Sequence, residues 1–322
     1  MEYTYAVARI RSKEVSLLSA HTIEQLISSK SYKECFEMLE EKGWGSGEET
    51  QQDVEQFLMV ESNKAWQIVK ESLNHDMSAL KVFLYENDFF NLKAAIKMVY
   101  TEEVDEALFI QYGTIEGGDI LRAVQEQNFD ALPDHMAKAA LQAYETLLHT
   151  SDGQLCDIIL DKAALEAIYN AGKESKDELI KTYAELTVAS SNIKIAVRCQ
   201  LTGKNIDFIK DALAFCDTIN TDTLARAAAN SMEAIYDYLL TTDYAGAVEA
   251  LQTSASEFEK WYDNLLIDKI RPQQYNSFTI GPIVAYLLAR ENEIKTVRII
   301  LSGKVNELPE QSIRERLREM YV

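Results

Sequence analysis

Apolar side chains recur along most of this chain at intervals of three and four residues, the period of a helix that buries one face. From Thr50 onward Val54, Phe57, Leu58, Ala65, Ile68, Val69 and Leu73 form one such stripe, with Glu55, Glu61, Lys64 and Glu71 on the opposite side. Ser31-Tyr32-Lys33-Glu34 has the form of a capping box and opens a helix carrying Cys35, Phe36, Met38 and Leu39, which Gly43 ends before a loop from Trp44 to Glu49. Thr22-Ile23-Glu24-Gln25 and Ser175-Lys176-Asp177-Glu178 have the same form, the second leading into Leu179, Tyr183 and Leu186. The stretch from Arg271-Pro272 to Gly281-Pro282 marks a loop after the helix that holds Trp261. No sustained alternation argues for a strand, so the expected class is all-α.

One phrase returns at a fixed interval: Asn91-Leu92-Lys93, Asn192-Ile193-Lys194 and Glu293-Ile294-Lys295, each 101 residues after the last. Asn87-Asp88, Ser190-Ser191 and Glu291-Asn292 precede the three copies and read as helix N-caps, so each copy is expected to start a helix. The apolar phase is shared: Leu92, Ala95, Ile96 and Val99; Ile193, Ala196 and Val197; Ile294, Val297 and Leu301. Copies two and three also share Leu201-Thr202-Gly203-Lys204 and Leu301-Ser302-Gly303-Lys304, where the glycine reads as a left-handed helix stop. The chain is therefore expected to be a triplication, with modules 1–110, 111–215 and 216–322, each a small helical bundle.

Composition narrows the function. Glycine and proline are sparse, and the formal charge is −20, with each third of the chain acidic. Clustered cations that would neutralise nucleic-acid phosphates or an anionic bilayer are missing, and the longest uninterrupted apolar run, Ile283 to Ala289, is far too short to span a membrane. Protein partners are expected, without nucleic acid and without lipid insertion. Cys35, Cys156, Cys199 and Cys216 sit in helical periods with no CxxC pair and read as small buried apolar residues, which suits a reducing cytoplasm.

Catalytic and cofactor motifs are missing too. A phosphate-binding loop needs glycine where Arg198 and Arg298 stand, and serine or threonine where Asn205 and Val305 follow the Gly-Lys pairs. His21, His75, His135 and His149 have no metal-ligand spacing and read as surface or helix-end residues, and no cofactor is expected. The residues offered as partner-binding candidates are Asn91, Lys93, Asn192, Lys194, Glu293, Lys295 and Arg298, the repeated cations either lining a shared opening or pairing with their neighbours. The run Ile313-Arg314-Glu315-Arg316-Leu317-Arg318-Glu319-Met320 alternates charge along a helix and reads first as a stability device.

The last third carries a likeness to a known family. Gly281 to Lys295, Val297 to Lys304 and Ile313 to Glu319, with the opening Tyr3 to Leu18 and its Arg9, Arg11, Ser12 and Lys13, resemble the C subunit, also called d, of the V-type and A-type rotary ATPases. The resemblance implies a non-catalytic, funnel-shaped protein of three related helical bundles in pseudo-threefold arrangement, present in one copy per complex. It implies a peripheral place on the cytoplasmic face of the membrane, seated on the rotor ring of proteolipid c/K subunits and receiving the central shaft, made of the D and F subunits. Such a part couples ATP hydrolysis or synthesis to H⁺ or Na⁺ movement. The runner-up is a cytosolic all-α interaction scaffold unrelated to rotary motors.

Overall fold

The computed structural model describes residues 3–45 and 54–322. Its regular elements are all helical: α1 (Thr4–Glu14), α2 (Ala20–Ser28), α3 (Tyr32–Glu41), α4 (Val54–Ser72), α5 (Lys81–Thr101), α6 (Gly117–Gln125), α7 (Asp134–Thr150) and α8 (Gly153–Glu174). They continue as α9 (Glu178–Leu201), α10 (Ile206–Ala212), α11 (Thr221–Asn230), α12 (Met232–Leu239), α13 (Ala247–Thr253), α14 (Ala255–Ile270), α15 (Gly281–Val305) and α16 (Glu310–Arg314). The all-α expectation is met. Thr50, the expected start of the long helix that continues as α4, lies outside the described residues.

The chain packs as two compact units, Met1–Met77 with Glu249–Val322, and Ser78–Val248. In the first, α15 is buried almost all round: every residue from Ile283 to Ala289 is shielded, and α1, α3, α4 and α14 lie against it. Phe36 of α3 and Phe57 of α4 meet with ring centroids 4.4 Å apart, beside Val297, Ile300 and Leu301 of α15. In the second unit α5 packs on α6 and α8, α8 on α7 and α9, and α9 on α11, with the rings of Phe83 and Tyr183 meeting at 4.4 Å. The four thiols are free and buried, as expected, and burial pushes those of Cys35, Cys156 and Cys216 up to about 11.

The capping assignments hold unevenly. Ser31 caps α3, its Oγ accepting from the Glu34 N–H at 3.2 Å, but α2 is capped by Ser19 instead of Thr22, and α9 by Asp177 instead of Ser175. The three repeated phrases do not start helices. Asn91, Asn192 and Glu293 lie well inside α5, α9 and α15, and Asp88, Ser190 and Asn292, read as caps, are buried on those helices. A cap is a polar side chain satisfying its own helix's first N–H groups; the tertiary packing instead uses several of these polar groups to reach other segments.

The helix stops also differ from the expectation. Gly203 does adopt the left-handed conformation (φ +64°), and Glu102 does so after α5 (φ +59°) without being glycine. Gly303 does not: α15 runs through it, and a Cβ there would stand 2.6 Å from Cγ1 of Ile313. The glycine is required by close approach. Gly303→Ala is expected to lose about 1 kcal/mol of stability in urea denaturation, overpacking of roughly 1–3 kcal/mol exceeding the gain of about 1 kcal/mol in helix propensity.

Candidate functional site

The polar residue that opens each repeated phrase stands four positions before an apolar one, Ala95, Ala196 and Val297, and therefore on the buried face of its helix. Asn91 meets this constraint with both ends of its amide: Nδ2 donates to the Ile110 carbonyl at 2.8 Å, and Oδ1 accepts from the Ile110 N–H at 2.8 Å. Asn192 repeats the arrangement on Ala214, at 2.7 and 3.0 Å. A primary amide offers one donor side and one acceptor, so it can pair a single residue's backbone as an adjacent strand would. Both asparagines are fully buried, where an unpaired backbone group would be costly.

An acid on the same helix makes a second tie. Asp88 accepts from the Thr114 N–H at 2.7 Å and from its hydroxyl, while Glu185 accepts from Thr218 N–H at 2.8 Å and hydroxyl at 2.6 Å. Thr114 and Thr218 each follow the clamped residue by four positions. Two points on each long helix thus hold a passing loop against it.

In the third copy the clamp has changed chemistry and partner. Glu293 has a carboxylate in place of the amide; it accepts from the backbone N–H of Leu18 and from Arg290 Nη1 at 2.7 Å. The segment it holds joins α1 to α2, and Thr22, four residues after Leu18, is buried in the first turn of α2. Arg290 also binds Glu61 of α4, which accepts from the Gly45 N–H at 2.9 Å and from Lys64 Nζ at 2.6 Å. Lys64 closes on the carbonyls of Gly43 and Gly45 at 3.0 and 2.6 Å, and the Arg290 guanidinium lies 5.0 Å from the Trp44 ring. Arg290, Glu61 and Glu293 are all essentially inaccessible. Burial raises the Glu293 carboxyl to about 7, against the lowering influence of Arg290.

The remaining candidates lie at the surface. Lys93 pairs with Asp161 of α8, and Lys295 with Asp263 of α14 at 2.8 Å; Lys194 is exposed and has no ion pair among the described residues. Arg298 grips Glu55 with Nε at 3.2 Å and Nη2 at 2.9 Å. Asn91, Asn192 and Glu293 have their polar atoms engaged inside the fold, which leaves the lysines and Arg298 accessible. Arg290, Glu61 and the two threonines do not stand out from the repeat alone. Arg290 does carry a signal, a charge directly after the apolar run Ile283 to Ala289, whereas Glu61, expected on the outer face of its helix, is buried four residues after Phe57 in the apolar phase.

Among the described residues no group of acids, histidines or cysteines is placed to hold a metal, and no helix is long and apolar enough to cross a membrane. The class defined is an all-α protein whose long helices hold passing backbone segments through buried polar side chains. Residues 6–316 match the family model of the ATP synthase (C/AC39) subunit, and the chain belongs to that family. It is 26% identical over 332 residues to the C subunit of the V-type sodium ATPase of Enterococcus hirae, covering 100% of this chain and 99% of that one. It is 24% identical to the C subunit of the A-type ATP synthase of Methanocaldococcus jannaschii (98% of this chain, 86% of that one), and 23% identical to that of the V-type ATP synthase of Thermus thermophilus (98% of each).

Two outcomes test the clamps. Asn192→Leu leaves the Ala214 N–H and C=O without partners in the core and is expected to cost about 2–4 kcal/mol in chemical denaturation, whereas Lys194→Ala changes stability by less than about 0.5 kcal/mol. Glu293 contributes most below its unfolded value of 4.5, where it is protonated in both states, and its share is lost as pH rises through about 7. Relative to Glu293→Gln, the unmodified protein should lose up to about 1.4 kcal/mol per pH unit between those values, then level off; parallel stability–pH curves would contradict this.

Proposed function

We propose that this chain is the non-catalytic central-stalk component of a V/A-type rotary ATPase, the socket that joins the rotating shaft, built from the D and F subunits, to the proteolipid rotor ring of c/K subunits. The family match across residues 6–316 carries the reading. One copy serves each complex, peripheral on the cytoplasmic face, and couples ATP hydrolysis or synthesis to H⁺ or Na⁺ movement. Its three helical modules, 1–110, 111–215 and 216–322, surround a funnel in pseudo-threefold arrangement.

The internal clamps support this role. A part that passes torque between two partners has to resist shear between its own helices, and buried side-chain-to-backbone ties resist shear better than apolar contact alone, because a hydrogen bond has a preferred direction. Lys93, Lys194, Lys295 and Arg298, together with acidic surface around the funnel, are the residues we assign to partner docking. In an acidic chain (net charge −20) the charge complementarity chiefly sets orientation and rate of association with a basic shaft.

Reconstitution of the complex lacking this chain tests the reading. ATP hydrolysis by the soluble head should continue while ion movement into vesicles stops, and adding the chain back should restore it. Ion movement at the full rate in its absence would refute the socket. Binding to the isolated shaft should weaken with added salt over the range in which surface charges are screened.

A further inference from the structure

In the unit formed by Met1–Met77 and Glu249–Val322, a cleft of about 320 Å³ opens between α14, α15 and the residues after α16. Its charged walls are Arg298, Arg316 and Arg318 against the single acid Glu259. The chain as a whole has 52 acidic and 32 basic residues, so three guanidinium groups facing one carboxylate invert the general balance. Two serine hydroxyls, of Ser256 and Ser302, complete the polar lining.

The hydrogen-bonding capacity of these groups is largely open. Arg316 is exposed and its guanidinium has no partner among the described residues. Arg318 uses Nε on Asp263 at 3.0 Å and Nη1 on the Arg316 carbonyl at 2.8 Å, which leaves Nη2 free while fixing the side chain. Arg298 is held only by Glu55, itself 75% exposed; such a pair is worth about 0–1 kcal/mol and exchanges readily for a better anion. Neither serine hydroxyl has a hydrogen bond among the described residues. Planar guanidinium forks with nearby hydroxyls match the oxygens of a phosphate, which can be held bidentately. The volume is at the lower end of small-molecule cavities, roughly 300–1,000 Å³.

From this geometry we infer that the cleft binds a phosphate group, either free or as the phosphomonoester or polyphosphate end of a larger molecule, through Arg316, Arg318 and Arg298 with the hydroxyls of Ser256 and Ser302. Glu259 on the same wall opposes the anion and keeps affinity moderate. The inference does not rest on the socket reading: Arg298 is shared with the residues assigned to docking, but Arg316 and Arg318, which belong to the alternating C-terminal run, are not among them.

Isothermal titration of the isolated full-length chain with inorganic phosphate and pyrophosphate, at ionic strength held constant with NaCl, tests the proposal. One saturable site per chain is expected, weakened about tenfold or more by Arg316→Gln, strengthened by Glu259→Gln and unchanged by Arg122→Gln, an exposed arginine on α6 that does not line the cleft. Tighter binding of ADP than of phosphate would assign the site to a nucleotide. Arg316-dependent co-sedimentation with phosphatidic acid vesicles, and not with phosphatidylcholine vesicles, would assign it to a lipid headgroup. No saturable binding at millimolar phosphate or pyrophosphate, or equal affinity in the Arg316→Gln and Arg122→Gln proteins, would overturn it; circular dichroism of each variant separates loss of the site from loss of the fold.

Discussion

A buried backbone amide needs a partner, and this fold repeatedly supplies one from the side of a long helix. Asn91, Asn192 and Glu293 occupy positions that periodicity would give to leucine or isoleucine, and each instead satisfies the main chain of a segment that passes without regular structure. With an apolar side chain there, the passing segment would have to form its own secondary structure or leave polar groups unpaired in the core. Asp88 with Thr114, and Glu185 with Thr218, extend the same solution by one more contact.

The third copy shows how the scheme changes when the passing segment comes from elsewhere. An asparagine pairs both backbone groups of one residue, whereas Glu293 can only accept when ionised, so its negative charge requires compensation from Arg290. Arg290 in turn is shared with Glu61, and Lys64 completes the set at the loop Gly43–Gly45. A carboxylate at the dry position where the other two helices carry an amide is thus accompanied by two cations and a second acid, with Trp44 covering the guanidinium.

Much of this is legible in the amino-acid order. The helical class follows from periodicity, and the interval of 101 residues locates the three clamp positions to the residue. Their role is easily mistaken, because polar residues beside an apolar stripe look the same whether they cap their own helix or reach across to another chain segment; only burial separates the two. Gly303 is ambiguous for a similar reason, since a glycine near a helix end serves equally well as a stop or as room for a neighbour, here Ile313. Lys304, beside it in the Gly-Lys pair, donates to the carbonyls of Ile27 and Ser29 at the end of α2, a contact across 275 residues or more that no local pattern encodes. Arg316 and Arg318 are visible as charges but not as walls of a cleft, because α14 brings Ser256 and Glu259 from a distant part of the sequence.

The partnership of Leu18 with Glu293 spans 275 positions. During synthesis, residues 3–45 leave the ribosome long before the helix that buries them is made. The middle unit, Ser78–Val248, has all of its own clamps in hand much earlier. Loop closure over so long a separation is entropically slow to reward, so the cluster of Ile23, Leu26 and Ile27 with α3 and α4 stays incomplete until α15 and α16 emerge. Nascent chains stalled before that point therefore present a sticky, unfinished surface, the kind of surface that chaperones bind.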